Sequence, residues 1–165
     1  MKATLVVEGK EFPIEINDPE LQKLVAPKKK TGYERVKHDE TMFYQHSDGL
    51  ASLGLNVAQD VYYDVANYYS SKIVAENNAR ADKLMRQLRR FAVENRISDL
   101  NWNVPEQTKW AIHYNRIKEK LEPVDACNSR DFGTIYFDLA LHARQAIAAF
   151  YDELIWYFTE YKDSI

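Results

Sequence analysis

The chain has 165 residues, 45% of them hydrophobic and 28% charged, and a formal net charge of −3. That balance suits one soluble globular domain with a single substantial core and excludes a disordered chain. No apolar run approaches the ~18 residues that a membrane-spanning helix needs, and a lone cysteine, Cys127, excludes an internal disulfide.

At the amino end, "MKATLVVEGKEF" lacks the cationic and apolar runs of a signal peptide, so a cytoplasmic location in the host cell and no membrane contact are expected. Residues 2–8 and 11–16 are short β-rich runs joined by Gly9-Lys10, good chemistry for a hairpin turn. Pro13 lacks a ladder N–H and points to an edge strand. In "NDPELQKLV", Asn17 or Asp18 can cap a short helix opened by Pro19. A basic connector follows over 28–40, then a strand at 41–45, and a turn with a weak strand between 46 and 60. "VYYDVANYY" (61–69) is strongly β-prone, and Ser70 or Ser71 can cap a long helix from about 72 to 95.

On that helix Val74, Ala81, Leu84, Met85, Leu88, Phe91 and Ala92 fall within one arc of about 120°, the stripe of a helix packed on a sheet. A loop at 98–108 leads to strands at 109–117, 119–126 and 131–137. Asp138 is placed to cap a last helix over 139–162. Its buried arc would hold Leu139, Ala143, Ala146, Ile147, Phe150, Leu154, Tyr157, Phe158 and Tyr161.

The two halves echo each other: "TMFYQ … VYYDVANYYS" and a helix, then "WAIHY … DFGTIYFD" and a helix, roughly 66 to 70 residues apart. The expected fold is therefore α+β: two repeated strand-rich units, each ending in a long helix on antiparallel sheet, after an N-terminal β-hairpin. One domain over 1–165 would comprise the hairpin and short helix (1–27), the connector (28–40), a first βα unit (41–97) and a second (98–165). The alternative to a repeat is chance similarity of amphipathic sequence.

Five strings carry a further likeness. "KTGYERV" (30–36), "VANYYS" (65–70), "RQLRRFAVE" (86–94), "FGTIYF" (132–137) and "ELIWYFTEYKDS" (153–164) resemble a loose group of small phage and prophage proteins of Gram-positive bacteria. The similarity covers most of the chain and lies in phrasing, not in a catalytic signature. It implies a phage accessory protein, a setting in which inhibitors of host defence, anti-CRISPR proteins among them, are common. It carries over no functional residue.

Catalytic and cofactor patterns are missing from the sequence. His38, His46, His113 and His142 have no HxxxH or HExxH spacing, and "HDE" at 38–40 is a poor metal site without a further His or Cys. Cys127 would need a base such as His113 nearby to act as a nucleophile. The five glycines form no phosphate-cradling loop. No enzyme activity, cofactor or metal is expected.

Charge is unevenly placed. Residues 80–96 carry six basic and two acidic side chains, and 28–37 carry five and one, so the rest of the chain is strongly acidic and a local field can still attract polyanions. Arg80, Lys83, Arg86, Arg89 and Arg90 lie opposite the apolar stripe. Arginine grips carboxylates and phosphates in a fork, whereas Glu76–Arg80 and Asp82–Arg86 pairs would make this a solvated face. On the last helix Trp156 projects away from the buried arc among Asp152, Glu153, Glu160 and Asp163. That is either an interface hot spot with an acidic rim or a Trp covered by the hairpin or the 98–108 loop.

The expected function is non-enzymatic binding and inhibition of a host defence protein such as a CRISPR effector nuclease. The contact residues would be Trp156, Asp152, Glu153, Glu160, Asp163, Lys83, Arg86, Arg89 and Arg90. The rival is a nucleic-acid-binding module using Lys28, Lys29, Lys30, Arg80, Lys83 and Arg90. A small-molecule site between the repeats is a third class.

Overall fold

The computed structural model describes residues 2–7, 10–17, 19, 30–37, 40–46, 51–54, 59–126 and 130–164. The chain divides into two compact units, Met1–Thr31 and Gly32–Ile165. In the first, β1 (Lys2–Val7) pairs antiparallel with β2 (Lys10–Glu15), from Lys2 opposite Glu15 to Val7 opposite Lys10. Lys10 is thus a strand residue. Pro13 faces Thr4 in a two-stranded ladder, where each strand has an open edge and the missing N–H costs little. Most of the expected short helix, with Lys28 and Lys29, lies outside the described residues, while Lys30 is exposed.

The second unit mixes helices with antiparallel strands. β3 (Met42–Gln45) pairs with β4 (Ala51–Gly54), and β5 (Trp110–Asn115) with β6 (Lys120–Asp125). Each pair is its own two-stranded sheet, so the helices rest on separate hairpins and not on one broad sheet.

Two expected strands are corrected. Residues 61–69 do not form one: α1 (Gln59–Asp64) occupies the first part. Its chain leaves through Ala66 at φ 55°, and only Tyr69 pairs, exchanging both backbone hydrogen bonds with Phe43 (2.8 and 2.9 Å). Asn67 substitutes for strand backbone: its Oδ1 accepts from Gln45 N at 2.6 Å and its Nδ2 donates to Gln45 O at 2.9 Å. The tyrosines that favour a strand in isolation find ring partners here, Tyr62 stacking on Tyr44 (4.6 Å) and Tyr63 meeting Tyr68 edge-on. Strand propensity is mostly such context. Residues 131–137 likewise yield a single bridge, Phe137 to Trp110, with bonds of 2.7 and 2.8 Å.

α2 (Lys72–Glu94) is the expected long helix, capped by Ser71, whose hydroxyl accepts from Val74 N. It buries Val74, Ala75, Ala79, Ala81, Leu84, Leu88 and Ala92. Met85 and Phe91 are only half-buried. The main core joins Leu84, Leu88 and Ala92 to Phe137, Ala143, Ala146 and Leu154, and a smaller cluster of Tyr69, Val74 and Ala75 packs with Phe43. Gly32 locks the small cluster. At φ +97° a Cβ there would come within 2.7 Å of Val74 Cγ2, while its carbonyl accepts from Ser70 N at 2.7 Å.

The last helix is two: α3 (Ala140–Ala149) and α4 (Tyr151–Thr159), parted at Phe150 (φ −123°, ψ 27°). No Pro or Gly lies there; Phe150 packs edge-on against Phe91 of α2 at 5.8 Å, so tertiary contact holds the break. Leu139, assigned to the buried arc from sequence, is the N-cap of α3 and 37% exposed.

Contrary to the expectation from sequence, Asp138 does not cap α3, whose N-cap is Leu139. Its Oδ2 instead accepts from Ile97 N (2.8 Å) and Ser98 N (3.3 Å), holding the chain that leaves α2. Among the described residues no helix is long and apolar enough to cross a membrane.

Candidate interaction surface

The structure brings four of the sequence-selected charges together. Arg80, Lys83 and Gln87 on α2 face Asp152 and Glu153 on α4 across a cleft of about 500 Å³, with Ala148 and Ala149 among its lining residues. Arg80 grips Glu153 in a fork, Nε donating to Oε2 at 2.8 Å and Nη2 to Oε1 at 3.1 Å. Its guanidinium lies 4.0 Å from the centre of the Trp156 ring. The expected separation of positive and negative zones is therefore wrong at this point: opposite charges meet.

Trp156 is also not exposed. It is 9% accessible, covered by Arg80 and by Tyr161, whose ring centre is 5.7 Å away. After α4 ends, Glu160 N and Tyr161 N both donate to Trp156 O. Tyr161 then donates its hydroxyl to Asn78 Oδ1 (2.8 Å), and Asn77 Nδ2 donates to Lys162 O (3.1 Å). The tail is pinned to α2, and the tryptophan beneath it cannot serve as a hot spot. The carbonyl-and-amide pair Asn77-Asn78 is the sequence feature that hid this. Glu160 and Asp163 are exposed but surround no exposed ring.

What remains of the selected surface is the outer face of α2. Lys83, Arg86 and Arg89 are exposed and make no ion pair among the described residues, whereas Arg90 approaches Glu94 at 3.9 Å. Neither expected neutralising pair forms: Glu76 meets Lys72 at 3.5 Å, Arg80 is taken by Glu153, and Asp82 does not reach Arg86. Val93 and Ile97 continue this end of the molecule as exposed apolar residues, 60% and 76% accessible. The result is a cationic stripe about 10 Å long, from Lys83 to Arg90 at 1.5 Å per residue, beside an apolar end.

Sequence reasoning missed two buried polar groups. His142 Nδ1 lies 2.6 Å from Asp138 Oδ1; an ionised carboxylate only accepts, so Nδ1 carries the proton. Burial pushes the Asp138 carboxyl up, but the bonds from His142, Ile97 N and Ser98 N outweigh it and hold it below the ordinary carboxylate value. The i,i+4 spacing of Asp138 and His142 was the available signal. Lys109 is fully buried, its Nζ donating to Val104 O (3.1 Å) and Gln107 O (2.8 Å) near the Trp102 ring. That fastens the 98–108 loop, and no spacing in the sequence announces it. Burial also raises Tyr69 and Tyr161 to about 12. His38, Asp39 and Cys127 lie outside the described residues.

Comparison with known proteins finds no match to this chain among protein families, curated proteins or solved structures.

Proposed function

We propose that the protein acts by binding rather than by catalysis, and that its contact surface is the basic outer face of α2. In the phage setting implied by the resemblance of its sequence, the partner is a host defence nuclease in the host cytoplasm, inhibited by occlusion. One observation carries this reading: Lys83, Arg86 and Arg89 stand exposed without acid partners among the described residues. Cations left unpaired on one helix face concentrate positive potential despite an acidic chain. Val93 and Ile97 beside them favour an acidic protein surface with an apolar margin over bare phosphate backbone. Trp156 and its acidic neighbours play no part.

The test is a cleavage assay with a panel of defence nucleases, CRISPR effectors included. The protein should suppress cleavage by at least one, and the charge reversal Lys83, Arg86, Arg89→Glu should abolish suppression with the fold intact by circular dichroism. Suppression that survives the triple change removes α2 as the surface. The nucleic-acid reading rests on the same cations and predicts salt-dependent binding of short DNA or RNA by the isolated protein; absence of binding at low salt eliminates it.

We also infer that the two βα halves are copies of one unit. In support, Phe43 bridges to Tyr69 and Trp110 to Phe137. In each case a strand of an antiparallel hairpin bonds a residue three positions before a helix begins.

A further inference from the structure

A second cleft, of about 330 Å³, opens beside the main core between α2, β5, α4 and the turn before Phe137; Leu84, Met85, Ile112 and Phe158 are among its walls. At its mouth stands Phe132, whose ring is as exposed as in a free chain, at 108%. The turn that presents it is fixed at both ends. Thr134 N reaches Asp131 O at 3.4 Å, and Asp131 N donates to the Tyr136 hydroxyl at 2.7 Å. Gly133 takes φ +79°, the left-handed conformation that glycine supplies at the third position of a tight turn. An aromatic ring held in water at the edge of an apolar cleft leaves both surfaces unfilled among the described residues of this unit.

We propose that a second copy of this chain fills them: Phe132 of each copy enters the cleft of the other. Plug and cleft adjoin on one face of one unit, so a two-fold axis can make both insertions at once. Such an isologous contact closes as a dimer and does not run on as a filament. The exposed Phe132 ring supplies the aromatic anchor, and the cleft supplies the desolvated pocket that an interface hot spot needs. This surface includes none of Lys83, Arg86 and Arg89, and the proposal stands independently of the binding function above.

Sedimentation of the full chain from micromolar to millimolar concentration tests it. The wild type should show a reversible monomer–dimer equilibrium. Phe132→Ala, at a fully exposed position, should raise the dissociation constant by about tenfold for each of two rings, about a hundredfold in all. Met85→Lys should block the cleft to similar effect.

Mixing the two variants decides the geometry. The Met85→Lys copy keeps its Phe132, the Phe132→Ala copy keeps its cleft, and the pair should associate more tightly than either variant with itself. A mixture that gains nothing, or a Phe132→Ala protein that dimerises like the wild type, overturns the proposal. So does a wild type monomeric throughout, in which case titration with anilinonaphthalene sulfonate shows whether a small apolar molecule fills the cleft instead.

Discussion

The two helical halves of the second unit begin alike and end differently. Each opens with an antiparallel hairpin and one isolated bridge, Phe43 to Tyr69 and Trp110 to Phe137. The first then runs one unbroken 23-residue helix, α2, while the second breaks at Phe150 into α3 and α4. Among the described residues Tyr69 belongs to a cluster with two other buried members, whereas Phe137 sits in the main core with residues from α2, α3 and α4. Similar local patterns thus receive very different shares of the buried surface. Position against α2, not the pattern, sets how much each bridge contributes.

The sharpest test of that difference is at the bridges themselves. Phe137→Ala should cost about 4 kcal/mol in urea unfolding, the middle of the range for emptying an aromatic site. Tyr69→Ala should cost about half as much, since fewer neighbours surround the void. Equal losses would break the comparison.

The two positive-φ glycines among the described residues come next. Gly32→Ala in the first half should destabilise by about 3 kcal/mol, combining left-handed strain with the Val74 clash. Gly133→Ala in the second, where a Cβ meets nothing within 4 Å, should cost about 1 kcal/mol from strain alone. Thermal melts of the pair give the ratio.

Titration separates the halves further. Asp138 belongs to the second, and its carboxyl is held below the ordinary value. The unfolded chain then binds the proton more readily, so the stability it contributes is present above about pH 4 and lost as pH falls through the folded value. Asp138→Asn should lower stability by about 2 kcal/mol at neutral pH and flatten the acid limb of a stability–pH curve. Tyr69 in the first half and Tyr161 in the second, raised to about 12, act oppositely. Their contribution is whole below pH ~10 and disappears as pH climbs toward the folded value. An alkaline limb unchanged in Tyr69→Phe would contradict this.

The smallest effect concerns the join between α2 and α4. Arg80→Ala uncovers Trp156 and frees Glu153, a partly exposed pair, so about 1 kcal/mol is expected. The clearer readout is a red shift of tryptophan emission, against no shift in Arg89→Ala.

Sequence alone located α2 almost to the residue, because a Ser cap, an apolar stripe and a run without Gly or Pro agree with one another. It also placed β3, β5 and β6, whose alternating residues find partners close by in the chain. It could not place 61–69, since the β-preference of "VYYDVANYY" is realised only against a neighbouring strand, and there a side-chain amide, Asn67, took the strand's place.

The candidate surface divided the same way. Lys83, Arg86 and Arg89 were legible because an amphipathic helix fixes its own outer face. Trp156 was not: what covers it comes from Arg80, 76 residues earlier, and from a tail pinned by Asn77 and Asn78. Local hydrogen bonding and helical period are written in adjacent residues, so the sequence determined them. The cover over a tryptophan, the break at Phe150 and the burial of Lys109 depend on which distant groups exclude water, and only the tertiary structure decided those.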